Sequence, residues 1–203
     1  MDKNKVKFVL NKLGYTINNI KNLELFVQKL IKYNKKHNLI SKNTEKIVWK
    51  RHILDSAQLI KYINNKKFKN IADFGSGAGF PGLILAFNNN KNNFHVKLYE
   101  KSIIKRNFLL DVIREFDLNV TVEGNIYDKI IDANIIVCRA FKKIGEILRI
   151  SREMIKKPHK LIILKGKNAQ NEINKVSLDS NYSYKIEKSL TESDSKIIII
   201  NAN

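Results

Sequence analysis

Cysteine, proline and arginine are all scarce in this chain. A single cysteine, Cys138, excludes an internal disulfide and any metal site built from cysteines, and no metal is expected. A reducing, cytoplasmic compartment is the expectation. Apolar runs are short, and Ile197–Ile200 is far too short to cross a bilayer, so no membrane partner is expected. The polar start Met1-Asp2-Lys3-Asn4-Lys5 leads into an amphipathic segment, which argues against a secretory signal. Only six of the 38 basic residues are Arg. The rest are Lys, whose A/T-rich codons it shares with the abundant Asn and Ile, so genome bias accounts for part of the +19 net charge. The imbalance against 19 acidic residues remains and points to a polyanionic partner.

A chain of 203 residues with 43% hydrophobic composition is long enough to bury a core. Asp2 caps a first predicted helix whose apolar positions are Val6, Val9, Leu10 and Leu13, with Gly14 as its stop. A second runs from about Asn19 to His37 with Leu23, Phe26, Val27, Leu30 and Ile31 on one face. Thr44 and Glu45 open a third that carries Ile47, Val48, Arg51, His52, Leu54, Asp55 and Leu59. Residues 1–63 therefore read as a helical extension packed on a core of residues 64–203, the two forming one structural unit, with 64–70 a polar connector. From Ile71 strands and helices alternate. The strand candidates are Asn70–Phe74, Phe94–Tyr99, Val120–Glu123, Ile135–Cys138 and Lys160–Leu164, with helices over Ser102–Phe116 and Ile144–Lys156. Tyr184–Glu187 and Lys196–Asn201 read as a closing antiparallel hairpin. The fold class is α/β, a Rossmann-like, mainly parallel sheet covered by helices on both faces.

The segment Asp73-Phe74-Gly75-Ser76-Gly77-Ala78-Gly79-Phe80-Pro81-Gly82 lies between a strand and a helix, where backbone N–H groups meet ligands. Gly75 permits a tight turn, Gly77 lets the main chain touch a ligand, and Pro81 suits the first turn of the next helix. A dinucleotide site wants a third glycine where Phe80 stands, which disfavours a nicotinamide-dependent oxidoreductase. The acidic-G-x-G-x-G spacing instead matches class I methyltransferases. Glu100 ends the following strand, 21 residues after Gly79, where a carboxylate can accept both ribose hydroxyls of an adenosyl group. The cofactor expected on this pattern is S-adenosyl-L-methionine, contacted by Asp73, Gly75, Gly77 and Glu100.

Further motifs are Asn38-Leu39-Ile40-Ser41, Arg51-His52-Ile53-Leu54-Asp55-Ser56, Lys105-Arg106-Asn107-Phe108-Leu109, Cys138-Arg139-Ala140 and Leu164-Lys165-Gly166. Together with the glycine loop, over roughly residues 20 to 170, this pattern resembles the bacterial glucose-inhibited-division protein B (GidB/RsmG) family of small-subunit rRNA guanine-N7 methyltransferases. The resemblance implies cofactor contacts at Gly75, Phe80, Ile126, Tyr127 and Arg139. It implies methylation of N7 of guanine 527 (reference numbering) in 16S rRNA; the expected partner is that RNA within the 30S subunit or an assembly intermediate, and the expected state a monomer. Relatives carry an Arg-Ala-Glu-Glu-like run where this chain reads Asn125-Ile126-Tyr127-Asp128, so a backbone contact to adenine survives there and a carboxylate contact does not.

Guanine N7 has a lone pair and no proton, so direct in-line transfer needs no general base, and no catalytic side chain is singled out. Adenine-N6 methylation needs a Pro-Pro-aromatic site; with Pro81 and Pro158 the only prolines, it is excluded. Cys138, at the end of an apolar strand, reads as a buried small residue rather than a nucleophile. Candidate RNA contacts are Arg51, His52, Asp55, Arg139 and Lys165. For Arg139 the alternative is a strand-end salt bridge, and for His52 and Asp55 a helix-packing hydrogen bond. Because N7 lies in the deep major groove of an A-form duplex, the target base must sit in a loop or leave its stack. Basic clusters at Lys66-Lys67, Lys101/Lys105/Arg106, Lys142-Lys143 and Lys156-Lys157/Lys160 are candidates to hold the backbone. The rival readings are a small-molecule methyltransferase on the same fold and a cofactor-binding module without transfer activity.

Overall fold

Local capping chemistry starts each of the first helices in the computed structural model, which describes residues 1–63, 70–88, 94–128 and 130–203. The Asp2 carboxylate accepts the Lys5 N–H at 2.9 Å and opens α1 (Lys3–Lys12). Thr16 and Asn19 form a reciprocal capping box that opens α2 (Ile17–His37), two residues earlier than its apolar face indicates. Leu23, Phe26, Val27 and Leu30 of α2 are buried at helical spacing. Asn38, in the left-handed conformation at φ 47°, ends the helix.

The third helix is a correction to the sequence reading, because it is not continuous. A short α3 (Lys42–Glu45) is followed by a wide π-helical stretch at Trp49–Leu54, then by α4 (Asp55–Ala57) and α5 (Ile60–Ile63). The expected connector at 64–69 and its Lys66-Lys67 cluster lie outside the described residues.

Next come β1 (Asn70–Phe74), α6 (Gly82–Phe87), β2 (His95–Tyr99), α7 (Ile103–Phe116), β3 (Val120–Glu123), β4 (Ile135–Arg139) and α8 (Ile144–Met154). The chain ends with β5 (His159–Lys165), α9 (Ala169–Asn174), β6 (Tyr182–Lys188) and β7 (Lys196–Ala202). The strands form one sheet in the order β3-β2-β1-β4-β5-β7-β6, with β7 antiparallel to both neighbours and the other pairs parallel. Strand alternation divides the core between two faces. Ile71, Val137, Ile162, Ile197 and Ile199 pack with the N-terminal helices, α6 and α7. Ala72, Ile136, Cys138, Ile163, Ile198 and Ile200 pack with α8 and α9. The isoleucine run of β7 is thus a strand buried on both sides.

The chain winds outward from β1 to β3, then crosses to β4 on the other side of β1. That reversal falls at the carboxyl ends of β1 and β4, the position at which open α/β sheets bind ligands. The N-terminal helices close over one side: the buried Tyr15 hydroxyl donates to the Ile84 carbonyl in α6 at 2.9 Å.

Pro81 precedes α6 as its cap rather than occupying its first turn, and Gly82 is the first helical residue. A Cβ at Gly82 would stand 2.4 Å from Leu98 Cδ2 and 2.7 Å from Asp73 Oδ2, so helix and sheet meet closely there. Gly82→Ala should therefore destabilise the fold by about 1–3 kcal/mol through overpacking. An unchanged urea midpoint would show that the contact relaxes freely.

Candidate functional site

The glycine loop leaves β1 and is held from behind by the neighbouring strand. Gly75 and Ser76 both donate their N–H groups to the Tyr99 carbonyl at 3.0 Å. A Cβ on Gly75 would meet the Phe141 ring at 2.5 Å, so this glycine packs against the loop after β4. Gly77, at φ +57°, differs: its imagined Cβ meets nothing nearer than the Gly75 carbonyl at 4.0 Å. Bare backbone at Gly77 therefore faces open space, as a close ligand approach requires.

Glu100, directly after β2, reaches this backbone. Its Oε2 accepts the Gly77 N–H at 2.8 Å, and its Oε1 accepts the Ser102 N–H at 2.8 Å ahead of α7. An ionised carboxylate offers about four lone-pair sites, so each oxygen keeps capacity for a ribose hydroxyl. Glycine loop and acidic partner thus form one surface, of a kind that fits an adenosyl group.

Asp73 stands behind that surface. It is fully buried, its Oδ2 accepts the Gly82 N–H at 2.8 Å, and its Oδ1 has no partner among the described residues. It ties the loop's end to its beginning. Phe80 likewise turns inward: its ring stacks on His52 at 4.8 Å and meets Phe26 edge-on at 5.9 Å. Ile126 is buried, whereas Tyr127 is 41% exposed on the turn after β3. The Tyr127 N–H is held only at 3.4 Å by Asn125 Oδ1, which leaves it open to a better acceptor.

Arg139, at the end of β4, draws His52 and Asp55 together. Its guanidinium donates to the Arg51 carbonyl at 2.9 Å and to His52 Nδ1 at 2.7 Å, lies 3.8 Å from Asp55 Oδ2, and covers the Phe80 ring at 5.1 Å. A guanidinium only donates, so His52 Nδ1 accepts and its Nε2–H donates to Thr44 Oγ1 at 2.9 Å. Thr44 in turn donates to the Ser41 carbonyl at 2.8 Å, which gives the Asn38–Ser41 motif its place in the site. Burial, then the Arg139 and Arg51 charges, push the His52 pKa down to about 3. Burial also lowers Arg139, to about 10, against the raising effect of Asp55. His52 is therefore a neutral, fully engaged imidazole. The wide turn at Trp49–Leu54 lets the consecutive Arg51 carbonyl and His52 ring face the same guanidinium.

Asp55 has further partners that the sequence did not suggest. Its Oδ1 accepts from Thr191 Oγ1 at 2.8 Å, Gln58 Nε2 at 3.1 Å and Ser189 Oγ at 3.4 Å. Separations of up to 136 residues leave no local signal for such contacts. Lys165, by contrast, is spent on protein, donating to the Lys142 carbonyl at 2.5 Å and Glu172 Oε2 at 2.8 Å. Burial, the largest cause, raises the Cys138 thiol far above its ordinary range, so it rests protonated.

The basic clusters separate. Lys101/Lys105/Arg106 and Lys142-Lys143 lie near the loop edge, following β2 and β4, whereas Lys156-Lys157/Lys160 flank the start of β5 at the other end of the sheet. Arg106 donates to the Glu100 and Lys101 carbonyls, and Lys142 and Lys157 pair with Glu146 and Asp132.

Burial pushes the Asp73 pKa from 3.8 up to about 7, so the fold favours its protonated form. The corresponding stability is complete below 3.8 and is lost as pH rises through about 7. Asp73→Asn keeps an acceptor for Gly82, so its stability relative to the wild type should climb across that window and level above it. A difference in melting temperature that stays constant with pH would contradict this.

A profile of the GidB family, described as rRNA small subunit methyltransferase G, matches residues 19–199. Proteins named ribosomal RNA small subunit methyltransferase G are similar along most of their length. That of Rickettsia felis is 37% identical over 180 residues, 88% of this chain and 91% of the relative. That of Orientia tsutsugamushi is 38% identical over 172 residues, 84% of each chain. Among solved structures, a SAM-dependent methyltransferase from Aquifex aeolicus superposes with TM-score 0.59 at 14% identity, covering 83% of this chain and 97% of that one. M. jannaschii TYW2 in complex with AdoMet superposes with TM-score 0.54 at 16% identity, covering 77% of each. At such identities these two likenesses show a common fold. The sequence relatives and the matched profile show more: this chain belongs to the GidB family, the rRNA small subunit methyltransferases G.

Proposed function

We propose that this enzyme uses S-adenosylmethionine to methylate N7 of a guanine in 16S rRNA, at the position numbered 527 in the reference rRNA, acting on the 30S subunit or an assembly intermediate. The observation that carries the reading is the contact of the bare Gly77 backbone with Glu100 at the sheet's switch point, with Arg139 at the end of the adjacent β4. Bound there, the donor supplies an electrophilic methyl group on a sulfonium. Glu100 would hold the ribose hydroxyls, the bare Gly77 backbone would admit the nucleoside, and the Tyr127 N–H would meet the adenine edge. Arg139 would face the donor's carboxylate.

The site's own chemistry agrees with an acceptor that has no proton to lose. His52 has both ring nitrogens engaged, its lone pair taken by Arg139. Asp55 is committed to Thr191, Gln58 and Arg139. Neither is placed to remove a proton, whereas N7 needs only positioning. The target base must stand clear of a duplex to be reached. Lysines 101, 105, 142 and 143, beside the loop edge, suit the surrounding phosphates, and Arg51 suits the same role from the wide turn.

Incubating the protein and labelled donor with 30S subunits, ribosomes and naked 16S rRNA tests this directly. Label should enter 16S rRNA and be released by an N7-specific cleavage reaction. Gly77→Leu, which places a side chain over the open backbone, should lower incorporation at least about 100-fold, equivalent to ~2.7 kcal/mol. Label confined to small metabolites, or RNA label that resists the cleavage, would reject the proposal.

A further inference from the structure

The turn joining β6 to β7 reaches the donor edge of the sheet. Lys165 at the end of β5 pairs with Lys196, which pairs with Lys188, so residues 189–195 sit beside the carboxyl ends of the parallel strands. There the turn is fastened to the N-terminal helices chiefly through the Gln58 and Asp55 side chains. Leu190 donates its N–H to Gln58 Oε1 at 2.8 Å, and Gln58 Nε2 donates to Ser189 Oγ at 3.0 Å. Ser189 Oγ and Thr191 Oγ1 are 2.8 Å apart, and both hydroxyls approach Asp55 Oδ1.

Anchoring the turn does not by itself call for a carboxylate. Asp55 is only 2% exposed, and burying an ionised group is expensive unless it is paired. Its two oxygens divide the work. Oδ1 takes the hydroxyls and the Gln58 amide, which fixes the plane of the carboxylate. Oδ2 is thereby left facing Arg139 at 3.8 Å and Arg51 at 3.9 Å. Arg139, its side chain 14% exposed, uses its terminal nitrogens on Arg51 and His52, and its Nε–H finds no protein acceptor among the described residues. The direction of that free N–H depends on how the guanidinium is held.

We infer that Thr191, with Ser189 and Gln58, is a positioning residue for the methyl-donor site: by orienting Asp55 it sets the pose of Arg139. This rests on the reading above that Arg139 contacts the donor. Without the Thr191 hydroxyl, Asp55 can turn its charge away from Arg139 while the turn stays docked through Gln58 and Leu190.

A double-mutant cycle in donor affinity tests the chain of contacts. Calorimetric titration with S-adenosylhomocysteine would compare wild type, Thr191→Val, Arg139→Lys and the double variant. Thr191→Val should weaken binding roughly 5- to 30-fold in the wild-type background and have no further effect beside Arg139→Lys, the sign of coupled sites. Thr191→Ser should restore affinity. Should Thr191→Val fail to fold, Ser189→Ala carries the same test through the other hydroxyl. Equal losses in both backgrounds, or a lowered melting temperature with affinity unchanged, would overturn the inference. If Arg139→Lys alone leaves affinity unchanged, the contact between Arg139 and the donor fails first, and the positioning role falls with it.

Discussion

A largely buried guanidinium needs acceptors where it stands, and several groups at the carboxyl edge of the sheet supply them to Arg139. It projects from the end of β4 into the N-terminal helices, and its donors turn two consecutive residues of the wide turn toward the sheet. Neutral His52 accepts from it without adding a charge; Asp55 supplies the compensating negative one. Phe80 lies beneath it as a flat apolar base. One side chain thus joins the helical extension, the glycine loop and the sheet, and through Asp55 the C-terminal turn as well. The irregular winding at Trp49–Leu54 presents the Arg51 carbonyl and the His52 ring to the same guanidinium.

The opposite wall of the site follows a different rule. There the exposed surface at Gly77 is backbone, and the acidic group beside it is left with spare acceptor capacity. Glu100 holds the loop through Gly77 and the start of α7 through Ser102, so it shapes the wall while remaining a potential ligand for hydroxyls. Asp73, the other acidic residue of the motif, is sealed inside and closes the loop upon itself. The two carboxylates therefore differ in setting, Asp73 sealed in the core and Glu100 holding backbone at the loop's outer side.

Elements set by local or two-faced burial were legible in the sequence. Asn70–Phe74 and Val120–Glu123 match β1 and β3 residue for residue, because apolar residues between polar breaks leave little choice. The order of strands and helices likewise pointed to the sheet and its antiparallel closing pair. The apolar face placed the second helix's start at about Asn19, and the Thr16–Asn19 capping box that moves it to Ile17 emerged only in the structure. The break in the third helix was not legible, and the guanidinium that its wide turn meets lies 87 residues away. Nor were Gln58, Ser189 and Thr191, whose importance exists only once the C-terminal turn meets Asp55. The motif spacing located the loop and Glu100; it could not tell which of its side chains face the site and which, like Asp73 and Phe80, turn inward.

Everything proposed for this molecule requires that Glu100 and the loop it holds take up the adenosyl group. Calorimetric titration of S-adenosylhomocysteine into wild type and Glu100→Gln tests it most directly. One molecule should bind per chain, and the substitution, which leaves shape but removes the charge that strengthens hydrogen bonds to the ribose, should weaken binding by about tenfold or more. No uptake by the wild type, or equal affinity in the two proteins, would contradict the claim.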